Sequence, residues 1–506
     1  TYYIRHNSKE PNLADFYIAQ RVGSILEEPR QRGLAHFLEH MAFNGTKNFQ
    51  GKGSSLGVVP WCESIGVKFG TNLNAYTSVE QTVYNVSAVP VKREGIVDST
   101  LLILHDWSHF LLLNDDEIDK ERGVIHEEWR TRRAGMAVQR MMERVLPVVY
   151  KGTKYEDCLP IGSMDIVDNF PYKDLRDYYQ KWYRPDLQAI IVVGDIDVDK
   201  MEQKIRRTFA DVPKPTKPAE RVYYPVADND KMIVAIDKDT EQPIMLVNLY
   251  MKQEATPDSE KNLVATARKS YVTELVTSMI NSRLADIKRQ ATPPFHSASV
   301  GAGQFLISKT KDAFSLSFGC LQENVKGSFQ AAIAETQRAR QHGFTESELQ
   351  RAKAGFLKAA ERRYTERNDR RNRYFVKAAL QNFLASEPIT TAEYDYRLMQ
   401  QFDKEVTLAD VNKEVAELVS NKNQVLTIYA PDKPNFPIAD AQTFEKYVLD
   451  AQAKRYEPYK EESAGKELID KLPKKGKIKS EQNWGKFGAK KLVLSNGVEV
   501  YVKPTD

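Results

Sequence analysis

Arg32-Gly33-Leu34-Ala35-His36-Phe37-Leu38-Glu39-His40-Met41-Ala42-Phe43-Asn44-Gly45-Thr46 is the stretch around which the rest of the chain is organised. Two histidines stand four residues apart, with a glutamate directly before the second. On a helix that spacing puts both imidazoles on one face, a turn apart, where they can reach one cation. Glu39, three residues after His36, lies on the neighbouring edge of that face. A carboxylate there can deprotonate a metal-bound water instead of binding the metal itself. Leu34, Leu38 and Met41 supply an apolar side to bury, and Asn44-Gly45 is a stop signal. The order H-x-x-E-H is the mirror of the H-E-x-x-H zinc motif. With eight histidines in the chain, it would arise by chance on the order of once in a hundred such chains.

The bulk numbers allow two or three soluble domains. The chain has 506 residues, 41% hydrophobic and 28% charged, too many for one core. A net charge of +4 argues for neither nucleic acid nor a membrane surface. Cys62, Cys158 and Cys320 are widely spaced and odd in number, which excludes a disulfide framework and a thiolate zinc site. The apolar stretch Leu101 to Leu113 is interrupted by His105, Asp106 and His109, so it reads as a buried helix and not as a membrane span.

Outward from the motif, Tyr2 to Arg5 and the alternating Asp15 to Ser24 read as strands, the second half-buried. Residues 46–70 read as a surface excursion with a short helix from Pro60 to Ile65. Asn72 to Thr77 and Thr82 to Val89 read as two strands joined by a polar turn. Helical periodicity covers Lys92 to Phe110, Asp115 to Leu146 and Val198 to Phe209, with a buried strand at Ile190 to Val193. Three prolines, Pro213, Pro215 and Pro218, close a first domain, 1–212. A second, 222–455, repeats the order of strands and helices without the metal motif. It holds strands Met232 to Ile236, Ile244 to Met251, Ala313 to Phe318 and Gln424 to Ala430. Its helices are Glu260 to Gln290, Val325 to Gln341 and Glu346 to Leu384. Residues 456–488 read as a charged linker, and 489–506 as the start of another repeat, since Thr1-Tyr2-Tyr3-Ile4-Arg5 can be laid on Glu499-Val500-Tyr501-Val502-Lys503. The natural protein is therefore expected to continue for about as long again. The fold class is α+β: two related domains, each a mainly antiparallel sheet packed with helices.

Two histidines leave a catalytic zinc one protein ligand short. The helix Asp119-Lys120-Glu121-Arg122-Gly123-Val124-Ile125-His126-Glu127-Glu128 offers candidates. Glu121 and Glu128, seven apart, share a face with Val124 and Ile125, while Glu127 is turned away. Solvated surface acids are the alternative for both, and His126 is a rival ligand. His105 and His109 form another i,i+4 pair, read as packed or hydrogen-bonded because no glutamate accompanies them.

His36-Phe37-Leu38-Glu39-His40, Asn74-Ala75-Tyr76-Thr77 and Glu121 to Glu128 together resemble the pitrilysin family of zinc peptidases, which includes insulin-degrading enzyme and the mitochondrial processing peptidase. The resemblance implies one zinc ion on His36, His40 and Glu128, with Glu39 as general base and Glu121 supporting catalysis from behind Glu128. The stretch from His40 to Glu128 is longer than the family pattern, so counting alone leaves Glu127 and Glu128 both open. Asn74, Ala75 and Tyr76 would present a strand edge to which an extended peptide adds. Gly301-Ala302-Gly303 loosely resembles a glycine-rich substrate loop, although a tight turn between strands explains it as well. The implied partners are a peptide or unfolded polypeptide substrate, the remaining half of the same protein and, as one arrangement, a second copy in a homodimer. The implied compartment is an exported one, such as a bacterial periplasm. Two rivals stand beside the peptidase: a non-catalytic, processing-peptidase-like scaffold that captures peptides, and a purely structural zinc site. The intact motif speaks against the first, and the lack of a fourth ligand against the second.

Overall fold

In the computed structural model, residues 1–505 are described apart from 54, 94, 435, 462–473 and 486. Strands β1 (Tyr2–His6) and β2 (Leu13–Gln20) lead into helices α1 (Leu34–Met41) and α2 (Val58–Ser64). The hairpin β3 (Leu73–Thr77) and β4 (Thr82–Pro90) follows. Next come α3 (Ile96–His109), α4 (Asp115–Arg133), α5 (Ala137–Val149), α6 (Met164–Asn169) and α7 (Tyr172–Trp182), then β5 (Gln188–Gly194) and α8 (Val198–Thr208). These strands form one sheet in the order β1-β5-β2-β4-β3, with β1 and β5 parallel and the other pairs antiparallel.

The second half repeats that plan. Strands β6 (Ile233–Asp239) and β7 (Leu246–Glu254) precede α9 (Val264–Lys288), and the pair β8 (Phe295–Gln304) and β9 (Lys311–Cys320) follows. After them come α10 (Val325–His342), α11 (Glu346–Thr365), α12 (Asn372–Ala385), α13 (Ala392–Glu405), α14 (Leu408–Leu418), β10 (Gln424–Pro431) and α15 (Ala441–Gln452). The sheet order is β6-β10-β7-β9-β8, with β6 and β10 parallel. Strand for strand this is the first sheet again, so the fold is α+β with two sheets packed with helices. Both sheets lie in one unit, Thr1–Tyr459; Lys460–Asp506 forms a separate unit holding β11 (Ile478–Trp484), β12 (Ala489–Leu494) and β13 (Glu499–Val502).

Each half lends a helix to the other's sheet. From the second half, α12 sets Val376, Ala379, Phe383 and Leu384 against Ala19, Val83, Ala189, Ile191 and Val193 of the first sheet. From the first half, α5 packs on β6 and β10, and its Arg140 holds Asp239 through Nε (2.8 Å) and Nη2 (2.7 Å). The exchange explains why β2 is buried on both faces and not half-buried as its alternation suggests: Asp15 and Ala19 are covered along with Ala14, Phe16, Ile18 and Gln20 on the other face. Apolar area covered on both faces is stabilising at about 25 cal/mol per Å², so the two sheets are held as one body.

Several expectations need correction. The single helix expected from Asp115 to Leu146 is two, because Gly135 takes a left-handed φ of +68° between α4 and α5, a conformation only glycine adopts freely. Glu346 to Leu384 is likewise two helices, parted by a 3₁₀ turn at Arg367–Asp369. Gly301-Ala302-Gly303 is neither loop nor tight turn: it lies within β8, paired with Ser315, Phe314 and Ala313 of β9. The linker expected over 456–488 contains β11, and its residues 462–473 lie outside the described ones.

Candidate metal centre and peptide-binding edge

The motif helix is seated before it begins. Gly33 takes φ +103° at its N-terminus, and a side chain on the facing Gly162 would strike the Gly33 backbone at 2.3 Å. Buried Glu27 then accepts the backbone N–H groups of Gly33 (3.0 Å) and Ala35 (2.7 Å). That satisfies two of the donors a helix start leaves free and sets a carboxyl at the positive end of the helix dipole. Burial pushes Glu27 up to about 8 against those two bonds and the nearby Lys154. Leu34, Ala35, Phe37, Leu38 and Met41 all enter the core, so α1 is buried all round except at His40.

Helix α4 crosses α1 with Ile118, Glu121 and Ile125 inward, a stripe spaced by three and four residues. Val124, expected on that face, turns out to solvent and is 50% exposed, since its position lies one flank further round the helix. Glu128 continues the inward stripe. Its Oε2 lies 3.1 Å from Nε2 of His40 and 3.6 Å from Nε2 of His36. One ligand atom from each of the three falls within 4.8 Å of the others. Nδ1–H of His40 donates to Oε1 of Glu121 at 2.7 Å, while Asn44 donates to Glu121 Oε2. Glu121 thereby fixes the His40 ring with Nε2 facing Glu128. Glu127 faces away in a fork with Arg130. His126 pairs with Asp168 on the surface. His105 is hydrogen-bonded to Asp106 and Asp211, and His109 to the carbonyl of Tyr183.

Two of the three groups, His36 and Glu128, are in the form that binds a cation, and the third, His40, must yield a proton to one. Burial and the adjoining His40 push His36 down to about 4, which keeps it neutral with a free lone pair. Burial pushes Glu128 up, but the His40 hydrogen bond and the charges of His36 and Arg132 outweigh it and hold the carboxylate at about 2. Burial would lower His40 too, yet its bonds to Glu121 and Glu128 raise it to about 9. Buried His36 Nδ1 has no hydrogen-bond partner among the described residues. Two imidazoles and one carboxylate are the protein donor set of a catalytic zinc site, so these residues fit the ion.

Glu39 is 8% exposed, and burial raises its pKa against a hydrogen bond from Thr77. Thr77 ends β3, whose one strand neighbour among the described residues is β4; beyond Leu73, which bonds back to Lys68 and Gly70, its other side is the edge of the sheet. Along β3, Asn74 and Tyr76 are exposed while Leu73, Ala75 and Thr77 are covered, as strand alternation requires. Asn74 and Tyr76 thus flank the edge, and Ala75 and Thr77 face the motif helix. Thr77, Glu27, Asn44 and Arg132 join the site without having been among the candidate site residues. Period-two alternation along Asn74-Ala75-Tyr76-Thr77 would have found the first, but nothing local marks the others.

A model of the insulinase family (peptidase family M16) matches residues 8–159, and one described as the peptidase M16 inactive domain matches residues 169–356. Along all 506 residues the chain is 28% identical to a zinc protease PQQL-like protein of Arabidopsis thaliana, covering 49% of it. It is 27% identical over 423 residues to the "Probable zinc protease PqqL" of Escherichia coli K12, covering 83% of this chain and 44% of that one. The chain spans about half the length of the curated relatives it matches. The crystal structure of the first half of the periplasmic protease PqqL from E. coli gives a TM-score of 0.78 at 25% identity, covering 90% of this chain and 96% of that one. The structure of the larger PqqL chain gives 0.80 at 24% identity, covering 99% and 54%. With both family models on one chain and the motif helix inside the first, the chain belongs to the insulinase family of peptidases, M16.

Proposed function

We propose that this chain is the metal-bearing part of a zinc-dependent endopeptidase that hydrolyses extended peptides or small unfolded proteins. The observation that carries the reading is the convergence of His36 Nε2, His40 Nε2 and Glu128 Oε2 beside a buried Glu39. His36, His40 and Glu128 would hold the ion, and Glu121 orients His40 through Nδ1. Bound zinc supplies Lewis acidity, which makes a coordinated water more acidic and a carbonyl more electrophilic. The Glu39 carboxylate accepts the proton of the attacking water and returns it to the leaving amine nitrogen as the peptide C–N bond breaks. The free edge of β3 receives the peptide as an added strand. Main-chain hydrogen bonding of that kind selects extended conformation over one sequence.

The relatives are about twice as long, and the reading includes a second half of that kind completing the peptide site. E. coli PqqL is a periplasmic protease, and we place this chain in an exported compartment too. No helix among the described residues is long and apolar enough to cross a membrane. The test is cleavage of a quenched fluorescent peptide library by the chain, alone and with the second half added, beside Glu39→Gln and a chelated sample. Cleavage lost in both controls supports the reading. Silence from the completed protein refutes it and favours a peptide-capturing scaffold.

A further inference from the structure

We infer that Thr77 is a positioning residue for the general base and that, through it, the peptide-receiving strand sets the orientation of Glu39; this rests on the peptidase reading above. The Thr77 hydroxyl lies 2.5 Å from Glu39 Oε2 and is the one hydrogen bond that carboxylate receives among the described residues. The hydroxyl has a single proton to give. Its cross-strand neighbour Thr82 is fully buried and spends its own proton on the carbonyl of Val22 at 2.9 Å. Thr82 Oγ1 stands 3.5 Å from Thr77 Oγ1, so it leaves the Thr77 proton directed at Glu39. Behind them, the paired phenols of Tyr84 and Tyr183 (2.7 Å apart) close the pocket, and both are buried.

In such a dry pocket a carboxylate without a donor would turn toward any polar group in reach. A hydroxyl on Oε2 fixes the plane of the group and leaves Oε1 to carry the proton from water to the leaving nitrogen. Thr77 is also the last residue of β3. A peptide zipped onto that edge stiffens the strand carrying the hydroxyl, which ties the aim of the base to occupancy of the edge. Serine would keep the donor. Valine keeps the shape of threonine and loses it.

The measurement is steady-state hydrolysis of a quenched peptide by the protein completed with its second half, for Thr77→Val, Thr77→Ser and the wild type. Metal content, melting temperature and the Kd of an uncleaved peptide are followed alongside. We expect Thr77→Val to lower kcat by about ten- to a hundredfold, the factor carried by a hydrogen bond to a charged group. KM, peptide Kd and metal content should stay unchanged, and Thr77→Ser should restore most of kcat. Added to Glu39→Gln, Thr77→Val should lower the residual rate no further, because it acts through that carboxylate. Undiminished kcat in Thr77→Val overturns the inference, as does an equal loss in Thr77→Ser or a full additional loss on top of Glu39→Gln. If Thr77→Val does not fold, Thr77→Ala against Thr77→Ser decides on the same terms. A wild type that cleaves nothing overturns the peptidase reading and this inference with it, whereas an active wild type with an indifferent Thr77 overturns this inference alone.

Discussion

The two sheets share one strand order, and each is followed by the same pair of crossing helices: α1 against α4 in the first half, α9 against α11 in the second. Their contents differ in one respect. Between α9 and α11, buried Arg283 brings its own cation. Its Nε and Nη2 donate to Glu348 at 2.6 and 2.8 Å, and its Nη1 lies 3.2 Å from Glu335. Between α1 and α4 stand Glu39, Glu121 and Glu128 with two histidines. Arg132, which pairs with Glu128, sits outside with its side chain 66% exposed. The buried positive partner of Glu121 and Glu128 is instead the His40 imidazole, raised to about 9 by its bonds to them, a group that, unlike a guanidinium, can give up its proton. One helix pair closes its charges with a permanent cation, and the other with an imidazole whose place at the carboxylates we propose a metal ion takes. The scaffold is common to both, and the chemistry lies in a handful of side chains.

The sharpest way to break this comparison is to remove the base and the buried cation in turn. Glu39→Gln should keep the metal and lose peptide hydrolysis by about a hundred- to ten-thousandfold, the contribution of a positioned general base. Steady-state rates beside metal analysis check it. An unaffected rate would mean that α1 binds a metal without chemistry. In the second half, Arg283→Met should lower stability by about 3–5 kcal/mol, because it leaves Glu348 and Glu335 buried and uncompensated, while leaving metal content unchanged. Denaturant midpoints measure it. The same pair gives a pH dependence. Burial pushes Glu348 up, but Arg283 and the Thr345 N–H outweigh it and hold the carboxylate below its ordinary 4.5. Its contribution is therefore complete above about pH 4.5 and is lost as the pH falls through the lowered value. Acid unfolding of Arg283→Met should lack that component.

Much of this contrast was legible in the sequence. H-x-x-E-H on an apolar helix, the seven-residue spacing of Glu121 and Glu128, and the strands now seen as β3 and β4 all follow from local periodicity. What escaped depends on distant segments. β2 alternates as a half-buried strand, yet α12, more than 350 residues on, covers its outer face. Helices α13 and α14 are the exception: each opens on a threonine N-cap, Thr391 and Thr407, the second in a capping box with Asp410, so these start signals were local and went unread. The break between α11 and α12 falls in a charged run, Glu366 to Arg371, that has neither proline nor glycine. Arg283 itself is invisible locally: on α9 it reads as a surface cation, and only Glu335 and Glu348 on other helices explain its burial.

Glu121→Gln sharpens the first half of the comparison at a smaller scale. Its carboxylate touches His40 Nδ1 and the Asn44 amide and not the three converging ligand atoms, so the ligand set survives. The ring of His40 would lose its charged acceptor and some basicity at Nε2. Metal affinity should drop by about ten- to a hundredfold, the range for such supporting partners. Competition with a chromophoric chelator reads it out. A drop as large as that of His40→Ala would place Glu121 on the metal itself.

The smallest effect separates the neighbouring acids that counting could not. Glu127 is exposed, and its carboxylate is held by Arg130 at 2.6 and 2.8 Å, a surface pair three residues apart. Such exposed pairs contribute little, since water and salt screen them, and this one lies on the face of α4 turned from α1. Glu127→Gln should therefore leave metal affinity and hydrolysis within about twofold and stability essentially unchanged. Glu128→Gln takes a charged oxygen from the point where both imidazoles meet, and metal affinity should collapse with it. Equal losses from the two substitutions would mean that α4 can rotate by the 100° separating adjacent residues. That rotation would drag Ile118 and Ile125, both fully buried, out of the core. The apolar stripe of α4 thus decides which glutamate meets the histidines, and the affinity ratio between the two variants measures how firmly that stripe holds.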